Sequence, residues 1–242
     1  MNAPVSEHIV KSYDAELQRL TQEIQRMGDL ALAELEASID AVVKRDSEAA
    51  EIVVGSDGAI DALELEVSHD VVQLLVARAP MARDLREVMA ALRIAADIER
   101  IGDYAANVAK RAISLNQLAP VKPVHALPRL AELAGELLRD VLDAYRDRDA
   151  DAALLAWARD EELDELYTSL FRELLTYMME DPRNITASTH LLFMAKNIER
   201  IGDHATNIAE NVYYLVHGSR IGQIRRKGDA TASTVLHGPA AE

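Results

Sequence analysis

The 242-residue chain has no cysteine, one tryptophan, two phenylalanines, seven prolines and ten glycines. Without cysteine there can be no disulfide, thiolate metal site or thiol nucleophile. The shortage of glycine, proline and aromatic residues (4% aromatic) argues against a turn-rich sheet protein. No apolar run approaches the ~18–20 residues that a membrane span needs. Residues 1–14 carry Glu7 and Asp14 and have no apolar core segment, so they do not read as a secretory signal, and a cytoplasmic location is expected. Basic charge is also short, with 26 Lys and Arg against 41 Asp and Glu, a net charge of −15. Nucleic-acid phosphates demand a basic face, so no nucleic-acid partner is expected.

What the chain does have is Ala, Leu, Glu, Asp and Arg, with 49% hydrophobic residues. These are helix formers in number enough for a sizeable core. Three segments of helical periodicity fill the first half, at 6–45, 47–79 and from about 81 to 118. Gly28 falls inside the first, where it signals close packing or a bend, and Pro80 ends the second. Residues 119–128 hold Pro120, Pro123 and Pro128 and read as a stiff extended linker. Three more periodic segments follow, at 128–147, 149–180 and 182–217, with Pro128 and Pro182 as helix starts. Residues beyond Gly218 lack an apolar stripe and are expected to be disordered.

The two halves repeat. Leu92–Arg111 and Leu192–Asn211 agree at 11 of 20 positions, where chance gives roughly one. The kernel is Ile98-Glu99-Arg100-Ile101-Gly102-Asp103 against Ile198-Glu199-Arg200-Ile201-Gly202-Asp203, followed by Asn107 or Asn207. At a shift of 103, Asp57, Ile60 and Asp61 fall on Asp160, Leu163 and Asp164. The predicted fold is therefore all-α, two tandem pseudo-symmetric three-helix bundles. Their bounds are 1–119 and 128–218, with a Pro-rich linker at 120–127 and a tail at 219–242.

At 100° per residue, Ile94, Ile98, Ile101, Ala105, Val108 and Ala112 form a core stripe. Glu99, Asp103 and Asn107 lie on the opposite side, flanked by Ala95, Gly102 and Ala106. Glu199, Asp203 and Asn207 repeat the pattern. Two readings stand beside each other. One is a solvated acidic face with Arg100 and Arg200 as neighbours. In the other, oxygen donors are gathered for a multivalent cation, which would offset the ~0.2–0.5 kcal/mol cost of each like-charge pair. Asp57 and Asp61, with Asp160 and Asp164, sit at the edges of the preceding helices, where they can join the same clusters.

Catalytic signatures are thin. Glu66-Val67-Ser68-His69 is a single Glu-x-x-His where a di-iron bundle needs two. There is no phosphate-cradling glycine loop and no nucleophile elbow. His204 can touch the acidic face, but Tyr104 replaces it in the other copy. Trp157 and Phe171 read as packing residues. No catalytic constellation emerges, and a metal-dependent hydrolase or redox protein and a purely structural helical module stand as alternative readings to a non-enzymatic one.

The repeated Glu-Arg-Ile-Gly-Asp-(Tyr/His)-Ala-(Ala/Thr)-Asn, with the closing Asn211-Val212-Tyr213-Tyr214-Leu215-Val216-His217-Gly218, resembles the PhoU family of phosphate-specific transport accessory proteins over about residues 8–218. The resemblance implies two three-helix bundles in a homodimer. It also implies a multinuclear cluster of iron, zinc or another divalent transition metal, held through Glu99/Asp103 and Glu199/Asp203. Its functional implication is negative regulation of the phosphate-starvation response, by an adaptor that links the ATPase subunit of the phosphate ABC transporter to the phosphate-sensing histidine kinase.

Overall fold

The computed structural model describes residues 4–222 together with 229, 231 and 234, with side chains described from residue 13 onward. Its helices are α1 (Pro4–Lys44), α2 (Ser47–Ser56), α3 (Gly58–Arg78), α4 (Arg83–Leu115), α5 (Leu127–Asp147), α6 (Ala150–Glu180) and α7 (Ile185–His217). No strand occurs among the described residues. The first bundle is built from α1 to α4 and the second from α5 to α7. They join where α4 lies along α7 and α1 packs on α5, so one apolar core runs through both.

The repeat extends beyond the segments that align by identity. The turn after α1 and the turn after α5 share the same backbone features at a shift of 103. Arg45 and Arg148 both take the left-handed conformation, at φ 55° and 54°. The next residue, Asp46 or Asp149, donates its backbone N–H 2.9 Å to the oxygen of Ala41 or Ala144. Each aspartate then caps the following helix: Asp46 accepts from the Ala49 N–H, and Asp149 from those of Asp151 and Ala152. Such caps satisfy backbone donors that have no partner within the helix.

The segment expected as one helix over 47–79 is two elements divided at Asp57. Gly55 and Gly58 flank the break and weaken the local helix. There the Ile60 N–H bonds to Asp57 O (3.1 Å), a tighter three-residue turn in place of the α-helical one. The counterpart α6 lacks these glycines and runs unbroken. The linker is not extended: Lys122–Ala126 form a 3₁₀ helix with Pro123 buried, and Val121 also joins the core. Arg45 anchors its approach by donating to the carbonyls of Asn116 and Leu118, both at 2.6 Å. Gly28 does mark close packing, against Leu142 of α5, and α1 continues through it unbroken.

Helix α4 is buried over a wider arc than its isoleucine stripe predicts, with Ala95, Gly102 and Ala106 in the interior as well. These small residues receive α3. A Cβ on Gly102 would come 2.7 Å from Ile60 Cδ1, so the helices approach closely only because position 102 has no side chain. Gly202 receives Leu163 of α6 in the same way. The small neighbours of the acidic ladder are therefore the surface on which the preceding helix sits, and that packing brings its aspartates to the ladder.

Candidate metal site

In the first bundle the ladder meets acids from two other helices. Glu99 and Asp103 of α4 are partly exposed, their side chains 24% and 37% accessible. Burial raises the pKa of Glu99, and the charges of Asp103, Asp61 and Glu64 raise it further, against Arg100. Asp57 is likewise raised by burial and then by Asp103 and Asp61, with Lys110 opposing. Four of the predicted residues, Asp57, Asp61, Glu99 and Asp103, thus form one electrostatic cluster. Arg100 lies over it, with Nε 3.3 Å from Glu99 and Nη1 3.0 Å from Asp103.

Sequence reasoning missed Glu34 of α1. This carboxylate is only 7% exposed and lies on the core side of its helix. Ser56 Oγ donates to its Oε1 at 3.2 Å, while Oε2 is buried with no hydrogen-bond partner. Burial pushes its pKa up to about 7, with Asp57 and Asp61 adding to the rise and the Ser56 bond opposing it. Glu34 Oε2 and Asp57 Oδ1 converge on Gly102: they lie 3.6 and 3.7 Å from the point a Cβ would occupy there. Two signals could have revealed it. Glu34 sits about 80° from the centre of the α1 core stripe, at its edge, and the repeat places Leu137 at its counterpart.

The second bundle differs. Glu199 does not face water: it is 2% exposed, and Asp160 and Asp164 are buried beside it. Lys196, one turn earlier in α7, places Nζ 2.7 Å from Glu199 Oε2 and 3.2 Å from Asp229 Oδ2. The ammonium also lies 5.0 Å from the centre of the Tyr167 ring. Burial raises the Glu199 pKa, against the Lys196 hydrogen bond. Burial works against the Lys196 ammonium but is outweighed by Glu199 and Asp229, so the lysine pKa is raised. Most of the tail expected to be disordered lies outside the described residues; of the described part, Asp229 makes this ion pair and accepts from the Thr231 N–H and Oγ1.

Asn207 turns away from the ladder. Steps of four residues rotate 40° around a helix, and by Asn207 the drift has reached the seam between bundles. There Asn207 Nδ2 donates to Asp97 Oδ1 of α4 (3.2 Å). His204 joins the same seam, with Nδ1 2.8 Å from Asp97 Oδ1 and its ring 5.6 Å from that of Tyr104, so it contacts α4 and not the acidic face. Asn107 is half-buried. Trp157 is buried, as a packing residue should be, and donates its ring N–H to Glu210 (3.2 Å).

As the side chains stand, no three histidine, aspartate or glutamate residues among those described converge closely enough to hold a metal ion. The chemistry of the first cluster nonetheless suits one. Its donors are all carboxylate oxygens, the type that takes hard and borderline divalent cations, and it contains a buried carboxylate oxygen without a partner.

The fold and site define a class: a doubled helical bundle in which each half carries a Glu-x-x-x-Asp on its last helix, packed against aspartates of the helix before. The PhoU domain model matches residues 24–112 and again 127–212, and the chain belongs to the PhoU family. It is 56% identical over 98% of its length to the whole of the phosphate-specific transport system accessory protein PhoU homolog of Xylella fastidiosa (strain 9a5c). It is 49% identical over 93% of its length to the Rhizobium meliloti homolog, of which the match covers 96%. The crystal structure of PhoU from Pseudomonas aeruginosa superimposes with a TM-score of 0.82 at 36% identity, covering 86% of this chain and 100% of that one. The phosphate transport system regulatory protein PhoU of Streptococcus pneumoniae gives 0.76 at 30% identity, covering 87% and 100%. No described helix is long and apolar enough to cross a membrane.

Proposed function

We propose that the protein is a non-enzymatic negative regulator of the phosphate-starvation response. In this reading it is a cytoplasmic homodimer that links the ATPase subunit of a phosphate ABC transporter to the phosphate-sensing histidine kinase. The observation that carries the reading is the family match across both repeats, with relatives named as accessory proteins of phosphate transport. The helical, acidic surface supports it in a general way, since an adaptor needs shape and charge more than a reactive pocket.

Divalent transition-metal binding, by iron, zinc or a similar ion, is part of this proposal. Asp57, Asp61, Glu99 and Asp103 would supply oxygen ligands, and the cation would relieve the mutual repulsion that raises the pKa values of Glu99 and Asp57. Its chemical contribution would be charge neutralisation and cross-linking of α3 to α4.

The test is genetic and biochemical together. Deleting the gene should derepress a phosphate-regulated reporter in phosphate-rich medium, and the intact gene should restore repression. Purified protein should co-purify with the transporter ATPase and with the cytoplasmic domain of the kinase. A deletion strain that still represses the reporter normally would overturn the regulatory role, and retention of neither partner would overturn the adaptor role.

A further inference from the structure

We propose that the two acidic faces are not equivalent: the first bundle takes an external divalent cation, while the second has been closed by a cation of its own, the ammonium of Lys196. This rests on the reading of the acidic faces as metal-binding and assigns that binding to one face.

Two of the positions at which the copies of the repeat differ bear charge in one copy only. At the shift of 100 that aligns α4 with α7, Lys196 stands where the first bundle has Ala96, and at the shift of 103 that aligns α1 with α5, Glu34 stands where the second has Leu137. One face has gained a buried carboxylate and the other has gained a lysine. Both changes move the charge balance in the same sense, adding a negative charge to the first face and a positive one to the second.

The contacts follow the substitutions. Lys196 Nζ is held between Glu199 (2.7 Å) and Asp229 (3.2 Å), with the Tyr167 ring beneath it. An ammonium so placed supplies the positive charge that buried carboxylates require. A divalent cation entering here would have to expel the lysine and leave it without its partner. Among the described residues of the first bundle no buried ammonium stands against Glu99. Glu34 Oε2 is buried without a partner and points to the same place as Asp57 Oδ1. The only cation pairing with Glu99 and Asp103 among the described residues is Arg100, whose side chain is 57% exposed and can turn into solvent at little cost. The orphaned Glu34 oxygen supplies what a surface cluster of acids lacks, a donor already desolvated and aimed inward.

Mn²⁺ is the probe, because it is located by anomalous scattering and counted by its electron paramagnetic resonance. Full-length protein stripped with chelator and soaked with Mn²⁺ should show anomalous peaks between α1, α3 and α4 only. The Glu99→Ala/Asp103→Ala variant should lose all bound Mn²⁺, and Glu34→Gln should weaken binding roughly tenfold or more. Lys196→Ala, which restores the residue of the first repeat, should gain a second Mn²⁺ population at Glu199 and Asp203. Peaks at both faces of the wild type would overturn the asymmetry and leave the metal-binding reading standing. Mn²⁺ at neither face would overturn both. A folded Lys196→Ala protein that gains no Mn²⁺ would overturn the role given to the lysine; should that variant not fold, the wild-type peaks and the first-bundle variants still decide.

Discussion

Replacing Glu34 by glutamine removes a charge from the interior while keeping size and the acceptor for Ser56. The consequence is a change in how stability depends on pH. The Glu34 carboxyl has a folded pKa of about 7 against an ordinary 4.5. Between those values the folded protein keeps a proton that the unfolded chain has released, so stability declines as pH rises. The contribution is fully present below the unfolded pKa and is lost as pH passes through about 7. A shift of ~2.5 units corresponds to about 3 kcal/mol. Glutamine does not titrate, so Glu34→Gln should lack this part of the slope. In chelator-treated protein, the stability difference between variant and wild type should move by about 3 kcal/mol in the variant's favour from pH 4.5 to pH 8. For a chain of this size that is roughly 6–12 °C in Tm. Glu23, Asp57, Glu99 and Glu199, also raised, add slope of the same sign in both proteins, opposed by His190, whose pKa burial lowers. Parallel Tm curves for the two proteins over this range would refute the reasoning, because they would mean that Glu34 is hydrated or already neutralised.

Three further outcomes separate packing from site. Ile101→Asp places an unpaired carboxylate at a position with no solvent exposure and should cost several kcal/mol, on the order of 3–5, seen as loss of the cooperative thermal transition; a folded variant with near-normal Tm would contradict the core assignment. Gly202→Ala would set a Cβ 2.8 Å from Asp160 Oδ1 and closer still to Leu163, for a loss of about 1–3 kcal/mol in urea unfolding, whereas Gly135→Ala meets nothing nearer than 3.7 Å and should be neutral or stabilise by up to ~1 kcal/mol. Glu99→Ala/Asp103→Ala should keep its helical circular dichroism and its Tm within a few degrees, since both side chains reach solvent; unfolding of this variant would mean that the ladder is structural.

How much of this was legible in the sequence depends on where each residue's environment is set. The isoleucines at 94, 98 and 101 announce a core stripe by spacing alone, because a helix converts spacing into direction. The identity of Glu99-Arg-Ile-Gly-Asp103 with Glu199-Arg-Ile-Gly-Asp203 announces the repeat in the same way. Burial of Glu199 could not be read from α7 alone, since it depends also on α6 and on Asp229, thirty residues farther along. The break at Asp57 was marked by Gly55 and Gly58, but apolar periodicity continues across it and hides the change of element. The linker misled for a related reason. Three prolines favour extension in isolation, yet Val121, Pro123 and Leu127 are apolar, and burying them outweighs that preference.

The repeat also explains why a single-helix reading of the acids was incomplete. On α4 alone, Glu99 and Asp103 oppose the isoleucine stripe and face water. Once α3 seats on Gly102, the same residues border a crevice between helices, and α1 reaches its edge with Glu34. The acids then belong to three helices, and their charges can no longer be treated one at a time. In the second copy the same scaffold carries Leu137 in place of Glu34 and Lys196 in place of Ala96, and an ammonium already stands against Glu199. Two substitutions on a common backbone thus separate an anionic crevice from a filled one. Because the glycine that admits the neighbouring helix is kept in both, the divergence lies in the electrostatics of the two faces and not in their packing.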